Sequence, residues 1–219
     1  MSDKILIAPS ILSADFSEMG SAVRKIDEAG ADFIHMDVMD GIFVPNITFG
    51  IKMVADIRPV TKRALDVHLM IDRPERYINE FAKAGADIIT VHYEACEKPV
   101  TEVLDDIRAL GVKSAVSIKP DTPVEVLKEL MPHSDMILIM SVYPGFGGQK
   151  FIENSVSRIA ETKKYIDGSG KNVLLEVDGG ITAENVRRVK EAGANVIVAG
   201  SSVFKAGDIK KAIRDLRQL

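Results

Sequence analysis

The sequence has 219 residues, of which 46% are hydrophobic and 27% charged, a composition typical of a globular protein with a large core. Its formal net charge is −4, whereas nucleic-acid-binding proteins usually carry a patch of basic residues. No apolar run approaches the ~20 residues of a membrane-spanning helix. The first residues show no signal-peptide pattern, and the single cysteine, Cys96, allows no internal disulfide framework. We therefore expect a cytoplasmic protein with neither a nucleic-acid nor a membrane partner.

Eight short apolar segments are predicted to be strands. They lie near residues 5–8, 33–38, 64–69, 87–92, 113–118, 135–140, 172–177 and 195–199. Helical patterns alternate with them, near residues 17–29, 50–57, 74–84, 98–110, 123–131, 151–167, 182–192 and 208–217. Strict alternation of helices with near-continuous apolar strands is typical of a parallel sheet covered by helices.

An internal repeat supports this alternation. Ala29-Gly30-Ala31-Asp32 precedes the second predicted strand, Ala84-Gly85-Ala86-Asp87 the fourth and Ala192-Gly193-Ala194-Asn195 the eighth. In each case a helical pattern ends on glycine, which suits the left-handed position after a helix, and a strand follows.

Eight such units predict an α/β fold with one (β/α)₈ TIM barrel spanning residues 1–219 as a single domain. The rival is an open, doubly wound sheet. That fold usually carries a Gly-rich turn after its first strand, whereas Pro9-Ser10 stands there in this sequence.

The second strand carries an unusual pair of polar residues. Side chains alternate faces along a strand, so His35, Asp37 and Met39 share one face while the opposite face is apolar. The imidazole and the carboxylate start ~7 Å apart along the backbone, at ~3.3 Å per residue, and can converge on one metal ion.

Two later strands end in the same residue types. His68 ends the third strand and Asp178 the seventh, and the carboxyl ends of barrel strands form the active-site face. Together with His35 and Asp37 they form a two-histidine, two-carboxylate set that suits Zn²⁺, Mn²⁺, Fe²⁺ or Co²⁺. The alternative is four buried polar groups that satisfy one another by hydrogen bonds. Four such groups at the ends of three strands, in a chain with only four histidines, lead us to favour the metal site.

Three methionines, Met39, Met70 and Met140, lie on the same rim. Methionine commonly fills cores, which is one interpretation. The other is an apolar cover that keeps water from a reactive intermediate.

Glycines follow the last three strands. They are Gly145, Gly147 and Gly148 beside Phe146, then Gly179 and Gly180, and finally Gly200 before Ser201. Loops after strands seven and eight form the usual phosphate site of a barrel, because backbone N–H groups of glycine turns bind phosphate. The long Gly-rich stretch after strand six, residues 144–149, is also a candidate for a lid over the site.

Two further polar residues are predicted to be structural. His92 is expected to be a core or hydrogen-bonding histidine rather than a ligand. Lys119 is expected to form a structural ion pair rather than a Schiff base.

Six segments together match a known family: residues 8–12 (APSIL), 35–41 (HMDVMDG), 43–46 (FVPN), 68–70 (HLM), 144–149 (PGFGGQ) and 177–180 (VDGG). On these motifs the sequence resembles the ribulose-phosphate 3-epimerases over essentially its whole length. The resemblance implies a ribulose-phosphate-binding TIM barrel that interconverts D-ribulose 5-phosphate and D-xylulose 5-phosphate in the pentose phosphate pathway, and it implies a homo-oligomer.

The resemblance also assigns roles. It implies one divalent metal ion per subunit, with Zn²⁺ preferred, held by His35, Asp37, His68 and Asp178. It implies that Asp37 and Asp178 are the acid/base pair. Substrate contacts are implied for Ser10, His68, Gly145, Phe146, Gly147, Gly148, Asp178, Gly179, Gly180, Gly200 and Ser201.

Three other functions stay open at this point. A six-carbon ketose phosphate such as D-allulose 6-phosphate would need the same metal and aspartates. A decarboxylase on the same barrel would carry Asp-x-Lys-x-x-Asp, but Met39 stands where that lysine would be. A non-catalytic phosphosugar-binding barrel would need no acid/base pair.

Overall fold

The computed structural model describes residues 5–219, which contain an eight-stranded parallel sheet. Its strands are β1 (Leu6–Pro9), β2 (Phe33–Met39), β3 (Ala64–Met70), β4 (Ile88–His92), β5 (Lys113–Ile118), β6 (Met136–Met140), β7 (Leu174–Asp178) and β8 (Val196–Ala199). They are hydrogen-bonded in the order β1-β8-β7-β6-β5-β4-β3-β2. An isolated parallel bridge between Ser10 and His35 joins the two ends of this order. The sheet is therefore a barrel, and the predicted fold class is confirmed.

Helices connect the strands and cover the barrel. They are α1 (Met19–Glu28), α2 (Ile51–Ile57), α3 (Ile78–Ala84), α4 (Val100–Ala109), α5 (Leu127–Leu130), α6 (Ser155–Ser169), α7 (Val186–Glu191), α8 (Ser201–Phe204) and α9 (Ile209–Gln218). The short helix α8 was not predicted, and α3, α5, α6 and α7 begin about four residues later than predicted. Short 3₁₀ turns precede α3 and α5, at Pro74–Arg76 and Val124–Val126. Within residues 5–219, none of the helices combines the length and the apolar character needed to cross a bilayer.

Strand β2 shows how the barrel separates its two faces. Ile34, Met36 and Val38 are buried in the main hydrophobic cluster with the helices. His35 and Asp37 point to the other side and are equally buried, at 0% and 3% exposure. Their polar face therefore lies inside the barrel, as the alternation predicts.

The residue that follows each Ala-Gly-Ala repeat accepts a hydrogen bond from the backbone of the neighbouring strand, near the amino end of that strand. Asp87 Oδ2 accepts the backbone N–H of Leu65 at 2.8 Å, and Asn195 Oδ1 accepts that of Leu175 at 2.8 Å. The same contact joins Asp32 to Ile7 and Asp135 to Ser114. These residues precede their strands, so they stabilise the end of the barrel opposite the predicted site.

Asp135 offers a test of this stabilisation. Its carboxylate also accepts two hydrogen bonds from the Arg108 guanidinium, at 2.8 and 3.2 Å. Burial alone would raise the pKa of Asp135, but the bonds from Arg108 and Ser114 outweigh it and lower that pKa. The stabilisation is therefore fully present above the usual carboxyl pKa of about 3.9 and is lost as the pH falls through the lowered value.

We expect Asp135→Asn to lose roughly 1 kcal/mol of unfolding free energy near neutral pH, since the pair is partly exposed. The deficit should shrink in acid, where the wild-type carboxylate is protonated. Urea unfolding at both pH values measures it, with Asp106→Asn, an exposed residue near Lys98, as the control. A deficit of equal size in acid would contradict this account.

Candidate active site

A cavity of about 390 Å³ opens at the carboxyl ends of the strands. Both predicted catalytic aspartates, the three methionines and all of the predicted glycines line it. The predicted residues in its wall are Ser10, Asp37, Met39, Met70, Met140, Gly145, Phe146, Gly147, Gly148, Asp178, Gly179, Gly180, Gly200 and Ser201. His35 and His68 are fully buried behind Asp37 and are not part of the cavity wall, although His68 was predicted to contact the substrate.

Strand register brings the four predicted metal ligands together. In the parallel β2–β3 pair, Asp37 lies beside His68, and in the β6–β7 pair Met140 lies beside Asp178. His35 Nε2 and His68 Nδ1 each lie 3.3 Å from Asp37 Oδ1, and His68 Nδ1 lies 4.0 Å from Asp178 Oδ2. One ligand atom from each of the four residues falls within 4.8 Å of all the others.

The two aspartates have opposite electrostatic environments. Burial opposes ionisation of Asp37, but His35 and His68 outweigh it and hold the pKa of Asp37 well below its usual range. Burial, reinforced by the negative charge of Asp37, raises the pKa of Asp178 to about 6. Ser10 donates a short hydrogen bond from Oγ to Asp37 Oδ2, which further favours the ionised form. Near neutral pH one carboxyl group is firmly ionised and the other can take up a proton.

A second buried carboxylate layer lies directly beneath this cluster. His35 Nδ1 lies 2.6 Å from Asp66 Oδ2 and 3.7 Å from Glu176 Oε1, and all three side chains are fully buried. Burial and the neighbouring charge of Asp66 raise the pKa of Glu176 well above its usual value. Sequence reasoning missed both acids, although each stands two residues before a predicted ligand, His68 or Asp178, and so shares its face of the strand.

The cluster fits a divalent metal ion. Zn²⁺ bonds of ~2.0–2.1 Å at tetrahedral angles separate neighbouring ligand atoms by about 3.3 Å, which matches the distances of both imidazole nitrogens to Asp37. Asp66 Oδ2 accepts a hydrogen bond from Nδ1 of His35, which directs Nε2 at the cluster, where it has no hydrogen-bond partner within the described residues. A buried nitrogen without a hydrogen-bond partner is uncommon in proteins, and metal ligation would explain it here.

The glycine turns present unpaired backbone donors to the cavity. Within residues 5–219, no protein acceptor takes the N–H of Gly147, Gly148 or Gly180. Gly179 and Gly180 have φ values of 121° and 66°, which side chains other than glycine rarely adopt. Such consecutive free amides form a concave anion site.

Side-chain amides and a hydroxyl hold these turns in place. Asn46 Nδ2 donates to the carbonyl of Gly145 at 2.8 Å and so ties the turn after β6 to the one after β2. Ser141 Oγ donates to Gly179 O at 2.7 Å, and Asn185 Nδ2 donates to Gly180 O at 2.9 Å. Sequence reasoning gave these three no role, and the partners of Asn46 and Ser141 are distant along the chain, whereas that of Asn185 is five residues away.

Comparison with known proteins agrees with this geometry. A sequence model described as the Ribulose-phosphate 3 epimerase family matches residues 6–204. The chain belongs to this family. It is 53% identical over 218 residues to the ribulose-phosphate 3-epimerase of Synechocystis sp., covering 99% of this chain and 95% of that relative. It is 51% identical to the Bacillus subtilis protein of the same name, covering 97% of this chain and 98% of that one.

Solved structures share the fold at low sequence identity. A tryptophan synthase alpha-subunit from Pyrococcus furiosus superposes with a TM-score of 0.72 at 17% identity, covering 99% of this chain and 98% of that one. A 3-hexulose-6-phosphate synthase from Salmonella typhimurium gives 0.70 at 15% identity, with 98% and 97% covered. These similarities concern the barrel fold alone.

Lys119 does not form the expected ion pair. Within the described residues its ammonium contacts no carboxylate and lies instead 4.0 Å from the centroid of the Phe43 ring. The neighbouring Phe43 offers its ring face, so a cation–π contact replaces the ion pair. His92 is fully buried and hydrogen-bonded, as predicted.

Gly180 and Gly170 form a matched pair for testing the glycine turns. Both have left-handed backbones, with φ of 66° and 67°. A Cβ on Gly180 would lie 2.5 Å from the backbone nitrogen of Phe151, whereas one on Gly170 would meet nothing within 4 Å.

Gly170→Ala should therefore lose only the roughly 1–2 kcal/mol of a left-handed residue. Gly180→Ala should lose about 1–3 kcal/mol more through overpacking and should weaken binding of inorganic phosphate. Urea unfolding and phosphate titration test both variants. Equal losses in the two, with unchanged phosphate binding, would contradict the predicted role of this turn.

Proposed function

We propose that this protein is a ribulose-phosphate 3-epimerase, an isomerase that interconverts D-ribulose 5-phosphate and D-xylulose 5-phosphate. The observation that carries the proposal is the pair of carboxyl groups, Asp37 and Asp178, on the floor of one cavity with pKa values moved in opposite directions. Environments that separate two pKa values in this way are how active sites assign an acid and a base. Membership of the family supplies the reaction.

The reaction transfers protons at C3, next to the C2 ketone. In one direction the Asp37 carboxylate takes the C3 proton, and the electron pair of that C–H bond moves toward the C2 oxygen to give a 2,3-enediolate. The Asp178 carboxyl group then gives its proton to the opposite face of C3, and the C2 ketone forms again. C3 is inverted, Asp37 is protonated and Asp178 is ionised. In the reverse direction the two roles exchange.

The positions of the two aspartates suit proton transfer on opposite faces of C3. Asp37 is on β2 and Asp178 on β7, and β1 and β8 separate these strands around the barrel. The two carboxyl groups therefore reach the cavity from different sides. The Ser10 hydrogen bond fixes the orientation of Asp37 toward the cavity.

Metal ligation is part of the proposal. His35, Asp37, His68 and Asp178 would hold one divalent ion, for which we propose Zn²⁺. When bound, such an ion supplies a Lewis acid for negative charge that develops on the substrate oxygens. Asp37 and Asp178 would then combine ligation with proton transfer.

The remaining wall residues would bind and enclose the substrate. The free amides of Gly147, Gly148 and Gly180 would bind the phosphate, together with Gly179, Gly200 and Ser201. Met39, Met70 and Met140 are almost fully buried, at 4%, 1% and 1% exposure, and would exclude water from the enediolate.

Asp178→Asn should keep the fold and lose ~10²- to 10⁴-fold in turnover, because the amide cannot exchange a proton. Kinetic assays with D-ribulose 5-phosphate measure the loss, and circular dichroism checks the fold. The matched control is Asp121→Asn, an exposed residue in the turn after β5, which should retain full activity. Near-normal turnover in Asp178→Asn would remove this residue from the mechanism.

The substrate assignment has its own test. Wild-type protein should convert D-ribulose 5-phosphate with a higher kcat/KM than D-allulose 6-phosphate, and it should lose this activity on metal removal and regain it with Zn²⁺. A preference for the six-carbon sugar would contradict the assignment. Activity that survives verified metal removal would contradict the metal site.

We further propose that residues 1–219 act as one catalytic domain and form a homo-oligomer in the cytoplasm. Arg217 of the last helix donates hydrogen bonds through Nη2 to Gly30 O at 2.8 Å and to Asp32 Oδ2 at 2.5 Å, which ties helix α9 to the segment between α1 and β2. This contact supports a single unit.

A further inference from the structure

The second nitrogen of His68 is engaged by another histidine. His68 Nε2 lies 2.9 Å from His92 Nε2. The ring centroids are 5.0 Å apart and the ring planes are within 24° of each other. Because the two nitrogens are much closer than the centroids, they lie between the rings, as in an edge-to-edge hydrogen bond.

His92 is linked in turn to a carboxylate. Its Nδ1 lies 3.3 Å from Glu94 Oε2. The other oxygen of Glu94, Oε1, accepts the backbone N–H of Lys119 at 2.8 Å and the hydroxyl of Thr122. Both donors belong to the turn after β5, so this turn fixes the orientation of the Glu94 carboxylate.

This carboxylate is ionised near neutral pH. Burial alone would raise the pKa of Glu94, but the hydrogen bonds from His92, Thr122 and the Lys119 backbone outweigh it and lower that pKa to about 2. An ionised carboxylate only accepts hydrogen bonds. The Nδ1 of His92 must therefore carry the proton that points at Glu94.

The position of this proton fixes the tautomer of His68. A neutral His92 with its proton on Nδ1 has a lone pair on Nε2, so the proton between the rings belongs to His68 Nε2. His68 Nδ1 is then left with a lone pair toward Asp37 Oδ1 at 3.3 Å and Asp178 Oδ2 at 4.0 Å, an arrangement of acceptor atoms that a cation between them would stabilise. The opposite arrangement would set the Nδ1 lone pair of His92 against the Glu94 carboxylate.

Water cannot substitute for these partners. His68 and His92 are both at 0% exposure. The ring of Phe43 packs on His92 at 4.8 Å between centroids, and the Lys119 ammonium lies over the Phe43 ring at 4.0 Å from its centroid. In such surroundings, His92 is the partner of His68 Nε2 within the described residues, while Nδ1 faces Asp37 and Asp178.

We propose that His92 and Glu94 are positioning residues that hold His68 in its Nε2–H tautomer and so present Nδ1 as a metal ligand. The inference rests on the metal site proposed above. It gives His68 the counterpart of what Asp66 gives His35: a carboxylate that orients the ligand ring, here acting through a second imidazole. Neither residue touches the cavity wall, so neither is a catalytic residue.

Zn²⁺ affinity of the intact protein, measured by chelator competition, provides the first test. His92→Phe keeps a buried aromatic ring but removes the acceptor, and Glu94→Gln keeps the size of the side chain but removes its charge. We expect each variant to bind Zn²⁺ about 10- to 100-fold more weakly than wild type, the usual range for partners of a ligating histidine.

Matched controls exclude a general effect of altering this region. Thr90→Val removes a buried, unpaired hydroxyl from the same strand as His92. Glu97→Gln makes the same change as Glu94→Gln at an exposed glutamate of the same loop, near Arg73. Both controls should bind Zn²⁺ as wild type does. Glu94 is partly exposed, so its variant carries the test if His92→Phe does not fold.

Nitrogen-15 NMR of the Zn²⁺-loaded protein provides a readout that a purely structural role would not change. Wild type should show His68 with a proton on Nε2 and a metal-bound Nδ1, and His92 with a proton on Nδ1. In the metal-free protein, where no ion holds His68 Nδ1, Glu94→Gln should lose the single tautomer of His92 that wild type shows.

The outcomes separate the two proposals. Wild-type affinity in both variants, or a metal-bound Nε2 of His68, would overturn the positioning role while leaving the metal site intact. Wild-type protein that does not bind Zn²⁺ through the four ligands would overturn both.

Discussion

Inside the barrel, ionisable groups are removed from water and must find partners among themselves. A buried charge or imidazole without a partner costs several kcal/mol, so each group on the inner face of the barrel constrains its neighbours. Asp66 orients His35, Ser10 orients Asp37, and His92 contacts the far nitrogen of His68. These contacts leave one possible ligand atom of each predicted metal ligand within 4.8 Å of the other three. The metal site and the acid/base pair that we propose both depend on this arrangement.

The two ends of the barrel divide stability from chemistry. At the amino end of the strands, Asp87 and Asn195 join neighbouring strands through hydrogen bonds to the backbone. At the carboxyl end, the glycine turns leave amides such as that of Gly180 unpaired, and the cavity is lined by groups without full hydrogen bonding. The residues that we propose for function thus lie at the end of the barrel opposite the contacts that join the strands at their amino ends.

Much of the fold could be predicted from the sequence. All eight strands lie within two residues of their predicted bounds, because near-continuous apolar runs and the Ala-Gly-Ala repeat mark them clearly. The four-residue helix α8 could not be predicted, since one turn of helix has no periodicity. The helix after β5 is shorter than predicted because a 3₁₀ turn takes its first residues.

The site was predictable to the extent that it lies on strands. Alternation placed His35 and Asp37 on one face, and the same rule applied to β3 and β7 would have found Asp66 and Glu176. It could not find the role that we propose for Glu94, because this residue lies in a loop and its partners Lys119 and Thr122 come from another loop whose position depends on the folded barrel. The cation–π contact between Lys119 and Phe43 could not be predicted for the same reason.

The central claim is that a proton leaves C3 on one face and another arrives on the opposite face. Incubating the protein with D-ribulose 5-phosphate in D₂O and analysing the product by NMR tests it most directly. The account predicts D-xylulose 5-phosphate with deuterium at C3 and at no other carbon. Product that retains protium at C3, or that carries deuterium at C1, would contradict it.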